Sequence, residues 1–110
     1  MNDSILDSVK LTIGGIEPSD TSFDNDILIH INTVLTILRQ LGLTNKITVT
    51  SNKEKWSDIT DNEPDLDSIK TYISLKVKKA FDPPSGSSAM TALNELINEL
   101  EFRLNITMDN

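Results

Sequence analysis

A single histidine, His30, and no cysteine stand among the 110 residues, so a nucleophilic triad or a thiolate or imidazole metal site would have to rest on one ring. His30 falls one position off an apolar stripe, and no neighbour in sequence suggests that it is activated. It reads as a partly exposed structural histidine. Asp58, Asp61, Glu63, Asp65 and Asp67 crowd together without a base between them, raw material for a calcium loop. Counted from Asp61, however, the sixth position is Leu66, where an EF-hand turn needs glycine, and the twelfth is Tyr72, where it needs glutamate. The cluster reads as a solvated loop entering a helix N-terminus, and no metal is expected there. Lys70, Lys76, Lys78 and Lys79 do not form one stripe interleaved with aromatics, as a nucleic-acid platform does. Lys78 and Lys79 read as a solvated face that complements a helix C-terminus, with contact to an acidic neighbouring subunit as the alternative. Gly14-Gly15 lacks the preceding strand and following lysine of a phosphate loop. No enzyme and no cofactor are expected from these patterns.

Seventeen acids against ten bases leave a net charge of -7. That charge repels phosphate and excludes a dedicated, sequence-specific nucleic-acid binder. The opening MNDSILDSVK carries acids where a secretory leader needs bases, and no apolar run approaches membrane-spanning length. A soluble, unprocessed product without a membrane partner is therefore expected. The length suits one domain with one modest core, spanning residues 1–110.

The element that must position everything else is the stretch PDLDSIKTYISLKVKKAFDPP, Pro64 to Pro84. Leu66, Ile69, Ile73, Val77 and Ala80 recur at three- and four-residue steps, with Tyr72, Leu75 and Phe81 widening the stripe, so one face must be buried. Asp65 and Asp67 at the start and Lys76, Lys78 and Lys79 near the end match the helix dipole. Pro83 then biases Asp82 out of the helical region and ends the helix. At that corner Phe81 reads as a core plug, Asp82 as an acceptor for the turn, and Pro83 and Pro84 as a rigid bend.

Earlier in the chain, Ser4 and Asp7 make a capping-box-like start for a helix through Ile5, Leu6, Val9 and Ile13, ended by Gly14-Gly15. After the turn-rich IEPSDTSFD, a longer helix with Ile27, Ile31, Val34, Leu38 and Leu41 on one face should be capped by Asp24 or Ser22. Gly42 is expected to terminate it in a left-handed conformation, with Leu43 folding back. KITVTS, residues 46–51, alternates in the period of a strand, and reads either as an extended loop or as an edge that pairs with another copy through Ile47 and Val49. Residues 52–59 suggest a short helix that packs Trp56 and Ile59 inward. Ser87 or Ser88 should cap a last helix with Met90, Leu93, Ile97, Leu100 and Leu104 in its main stripe, flanked by Ala89, Leu96 and Phe102. Glu99 and Arg103 form an i, i+4 pair. Residues 105–110 lose the apolar period and read as a flexible tail. The fold class is all-α, a small bundle of four main helices plus one short helix, its core supplied mostly by residues 24–41, 66–81 and 89–104.

Taken in order, Ile31-Asn32, Leu38-x-x-Leu41-Gly42, Trp56, Tyr72-Ile73-x-Leu75-Lys76-Val77, Phe81-Asp82-Pro83-Pro84 and Glu99-Leu100-Glu101-x-Arg103-Leu104 resemble the head-tail connector (adaptor, or head-completion) proteins of tailed bacteriophages. The resemblance runs over nearly the whole chain. It implies a structural role in the virion neck, assembled in the bacterial host cytoplasm. Copies would form a ring, a dodecamer by that likeness, on the portal protein and join the DNA-filled head to the next neck or tail-completion protein. An acidic lumen would let DNA pass without sticking. Like-charged small subunits should stay monomeric until the portal templates them, with Ile47, Val49, Lys78, Lys79 and the tail at Asn105, Ile106 and Met108 as candidate contacts. A DNA mimic and a dimeric helix-bundle regulator are the alternatives. Mimicry would need acids at phosphate-like spacing on one surface, whereas here they cluster in loops and helix starts.

Overall fold

A computed structural model describes residues 4–43, 47–60 and 63–108. Four helices follow in order: α1 over Ile5–Gly14, α2 over Asp24–Leu41, α3 over Glu63–Phe81 and α4 over Ser87–Met108, with a 3₁₀ turn at Trp56–Asp58 between α2 and α3. Among the described residues there is no strand, only an isolated bridge between Ser4 and Lys55. The all-α expectation is met.

α3 is the centre of the bundle, in contact with α1, α2, α4 and the 3₁₀ turn. Ile69, Tyr72, Ile73 and Val77 on its inward face are buried completely, at about 1.5 to 3 kcal/mol for each large aliphatic side chain withdrawn from water. Ala80, expected on the same stripe, is exposed, because the stripe drifts off the contact face in the last turn.

The helix ends follow local chemistry in most places. Ser4 Oγ accepts from Asp7 N–H at 3.2 Å and starts α1. Gly15, at φ 64°, stops it with its N–H on the Leu11 carbonyl. α1 has no base in its own last turn, and Lys78 of α3 fills that place by bringing Nζ to 3.4 Å from the Ile13 carbonyl. α2 departs from expectation: Phe23 occupies its cap position without a side-chain hydrogen bond. Ser22 N–H is taken by Asp20, and Asp24 by an ion pair described below. At the far end, Gly42 N–H donates to the Arg39 carbonyl and Leu43 N–H to the Leu38 carbonyl, the paired bonds of a Schellman ending.

Three further expectations change. The segment at residues 52–59 tightens to the 3₁₀ turn alone, in which Asp58 Oδ2 accepts from Lys55 N–H at 2.9 Å. Trp56 and Ile59 are nonetheless buried. α4 starts at Ser87 with the Gly86 carbonyl accepting from Met90, so the two serines lie in the first turn and not at the cap. Residues 105–108, read as tail, continue α4 to Met108, while 109–110 lie outside the described residues. Met108 packs against Gly42 so closely that a Cβ there would fall 2.7 Å from its main chain. The glycine therefore serves both a positive φ and a helix crossing.

Candidate functional site

The residues singled out by sequence divide into an inward set and an outward set. On the seam between α3 and α4, Tyr72 is buried and its hydroxyl donates to Glu101 Oε2 at 2.6 Å. Lys76 lies 3.8 Å from the same carboxylate oxygen and 6.0 Å from the centre of the Tyr72 ring. Burial, then the bond to Glu101 and its negative charge, push the Tyr72 phenol well above its ordinary pKa. Three residues from two separate sequence patterns thus meet in one cluster, with Leu75 half-buried beside the core. Arg103 turns outward to Glu99 at 3.2 Å.

At the corner after α3, Phe81 is half-buried and meets Phe23 edge to face, centroids 5.5 Å apart. It is a bridge to the start of α2 more than a core plug. Asp82 N–H donates to the Lys78 carbonyl, and its carboxylate faces Lys78 Nζ at 4.0 Å; the turn itself gives that carboxylate no N–H. Pro83 is exposed and Pro84 half-buried.

Around α2, Asn32 explains its place in the pattern: its side chain donates to the Val49 carbonyl at 2.9 Å and accepts from Val49 N–H at 2.8 Å. A side-chain amide thereby does what a partner strand would do. Val49 is buried with both main-chain groups engaged, so it offers no edge to another copy, and the expectation that it pairs between subunits is corrected. Ile47 is half-buried against the core, and Lys46 lies outside the described residues. Trp56 carries Lys70 Nζ 5.6 Å above its ring. The indole Nε1 has no acceptor among the described residues, a cost of roughly 1–3 kcal/mol, smaller than the roughly 4–6 kcal/mol from burying 150–250 Å² of indole.

The outward set is short. Lys79, Asn105 and Ile106 are exposed, whereas Lys78 is engaged with α1 and Met108 is seated on Gly42, so neither of these two is a free contact. Sequence reading missed Phe102, placed there as a flank of the buried stripe; it is 66% exposed and stands one turn from Ile106 on the outer face of α4. It also missed Lys10. That lysine is 0% exposed, with Nζ 2.8 Å from Asp24 Oδ1 and 3.2 Å from the Pro18 carbonyl. The contact with Asp24 is a close pairing of charges without the alignment of a hydrogen bond. Its signal was present, since Lys10 follows Val9 on the inward side of α1, but charge argued for solvent.

His30 is half-buried on α2. In the acidic stretch, Asp58 holds the 3₁₀ turn, Asp65 and Asp67 enter the first turns of α3, and Asp61 lies outside the described residues. Among the described residues no group of three or more His, Cys, Asp or Glu side chains could hold a metal ion, and no helix is long and apolar enough to cross a membrane. What the arrangement can do is present a rigid surface.

The model of a family described as phage connector protein matches residues 5–110. No curated protein and no solved structure matches the chain.

Proposed function

The chain belongs to the phage connector protein family, and on that premise we propose that it is a structural, non-catalytic component of the virion neck. Copies form a ring on the portal protein and join the head to the next neck or tail-completion protein, after assembly in the host cytoplasm. The match over residues 5–110 carries this reading. Two physical features support it. The residues that define the family likeness in this sequence, Asn32, Gly42, Trp56, Tyr72 and Glu101, are used for internal packing, as a part that must keep one shape requires. The net charge of -7 suits a lumen that does not retain DNA.

The contacts proposed are Lys79, Asn105 and Ile106, joined by Phe102. Deleting residues 105–110 is a poor test, because it would also remove Met108 from Gly42. The double substitution Phe102→Asp with Ile106→Asp leaves the core alone. Sedimentation with purified portal rings should carry the native chain down and leave the variant in the supernatant with its thermal melt unchanged. A native chain that never sediments with portals would sink the assignment.

A further inference from the structure

Half of the large exposed apolar side chains among the described residues lie on one helix: Leu96, Phe102 and Ile106 of α4. α4 packs on α3 and α2 with its opposite face and leaves this side bare. At 3.6 residues per turn, Glu99 and Ile106 run along the middle of the bare stripe, Phe102 along one edge, and Leu96 and Arg103 along the other. The spacing is symmetric about the level of Glu101. Leu96 and Ile106 each stand five residues from it, and Glu99 and Arg103 each stand two. Both charged side chains are exposed, and the one contact between them, 3.2 Å from Arg103 Nη2 to Glu99 Oε1, leaves Glu99 Oε2 and the remaining guanidinium N–H groups unengaged among the described residues.

We propose that this stripe binds the same stripe on a second copy of the chain, with the two α4 helices antiparallel about a two-fold axis at the level of Glu101. In such an isologous pair like edges face each other, and each residue meets the one that stands equally far beyond the axis. Glu99 then faces Arg103 of the second copy, and Arg103 faces its Glu99. Leu96 covers Ile106 of the second copy at both ends, while the two Phe102 rings meet beside the axis, an aromatic centre of the kind on which interfaces depend. Residues 104–108 hold no acid, so Glu95 meets no like charge among the described residues. A parallel pair would set Glu99 against Glu99 and Arg103 against Arg103. The monomer expected from a net charge of -7 assumes repulsion spread over the whole surface, whereas on this stripe the charges are matched. One helix pair lies at the small end of specific interfaces, so the dimer opens readily. Phe102 and Ile106 are also offered to the portal above, so opening must precede docking; that consequence rests on the assembly role, and the pairing itself does not.

The test is sedimentation equilibrium of the full-length chain from about 10 µM to about 1 mM. The mean mass should rise toward twice that of one chain and stop there. Glu99→Arg sets arginine against arginine across the axis, and Arg103→Glu sets glutamate against glutamate, so each variant by itself should stay monomeric. Mixed in equal amounts they should recover the native mass, since every charge across the axis then meets its opposite. Both variants remain net negative, so neither net attraction nor a contact within one helix accounts for that recovery. The chain has no cysteine, which lets Leu96→Cys and Ile106→Cys read the direction: mixed and oxidised, they should cross-link with each other faster than either does with itself. Thermal melts of these exposed variants should match the native chain. A native mass that stays at one chain, climbs past two, or ignores both charge reversals would overturn the pair, as would a mixture that remains monomeric. Faster linkage between like cysteines would overturn the antiparallel direction. These masses are read without portals, so failure here leaves the assembly role standing, and a chain that never sediments with portals leaves the pair standing.

Discussion

Two charge pairs among the described residues reach into this bundle, at Lys10 with Asp24 and at Lys76 with Glu101, and they are built in opposite ways. Beneath the start of α2, a lysine is buried completely while its partner Asp24 keeps 22% of its side chain in solvent. On the α3–α4 seam it is a neutral phenol that is buried, while the charges of Glu101 and Lys76 stay partly wet, at 33% and 25% exposure. The first arrangement depends on its partner, since an ammonium without a counter-charge cannot be rehydrated in place. The second tolerates change, because water can replace whichever charge is removed.

The largest expected effect breaks the first pair. Asp24→Ala should destabilise by about 3–5 kcal/mol, since it strands the Lys10 charge, whereas Lys10→Met should be close to neutral because Asp24 can remain solvated at a helix N-terminus. Urea melts of the two variants check this asymmetry, and equal losses would mean that the lysine is not desolvated. On the seam, Tyr72→Phe should cost only about 1 kcal/mol, with Glu101 regaining water.

The same phenol gives a pH test. Its folded pKa is raised, so its contribution is fully present below the unfolded value of about 10 and is lost as pH climbs beyond it. Tyr72 is the single tyrosine, so phenolate absorbance near 295 nm reports on it alone. The band should appear together with unfolding, and Tyr72→Phe should flatten the alkaline decline relative to the native chain. A phenolate that forms in the folded state near its ordinary pKa would sink this account. Smaller still, Lys76→Ala should cost under about 1 kcal/mol, an effect that shrinks in salt. The exposed Glu99 and Arg103 pair should show a coupling of roughly 0.2–0.5 kcal/mol in a double-mutant cycle.

Most of the architecture was legible in residue order because it rests on local physics. Apolar residues at helical spacing, Ser4 and Asp7 at one helix start, Gly15 and Gly42 at two ends, and the proline corner after Phe81 each act within a few residues of chain. The Glu99 and Arg103 pair is of the same kind. Where prediction failed, a distant segment had taken over a local role. Asp24 left its capping position for Lys10, the sixth residue of α1; Val49 lost its free edge to the side chain of Asn32; and Met108 was held in helix by the approach of Gly42. Phe102 shows the reverse, an apolar residue on a helical period that none of the described elements covers. Propensity and periodicity act through neighbours in sequence, so the chain by itself determines which segments are helical and which faces are apolar. Burial of Lys10 and the meeting of Tyr72 with Glu101 depend on groups brought together only when the helices pack, and tertiary structure alone decided them.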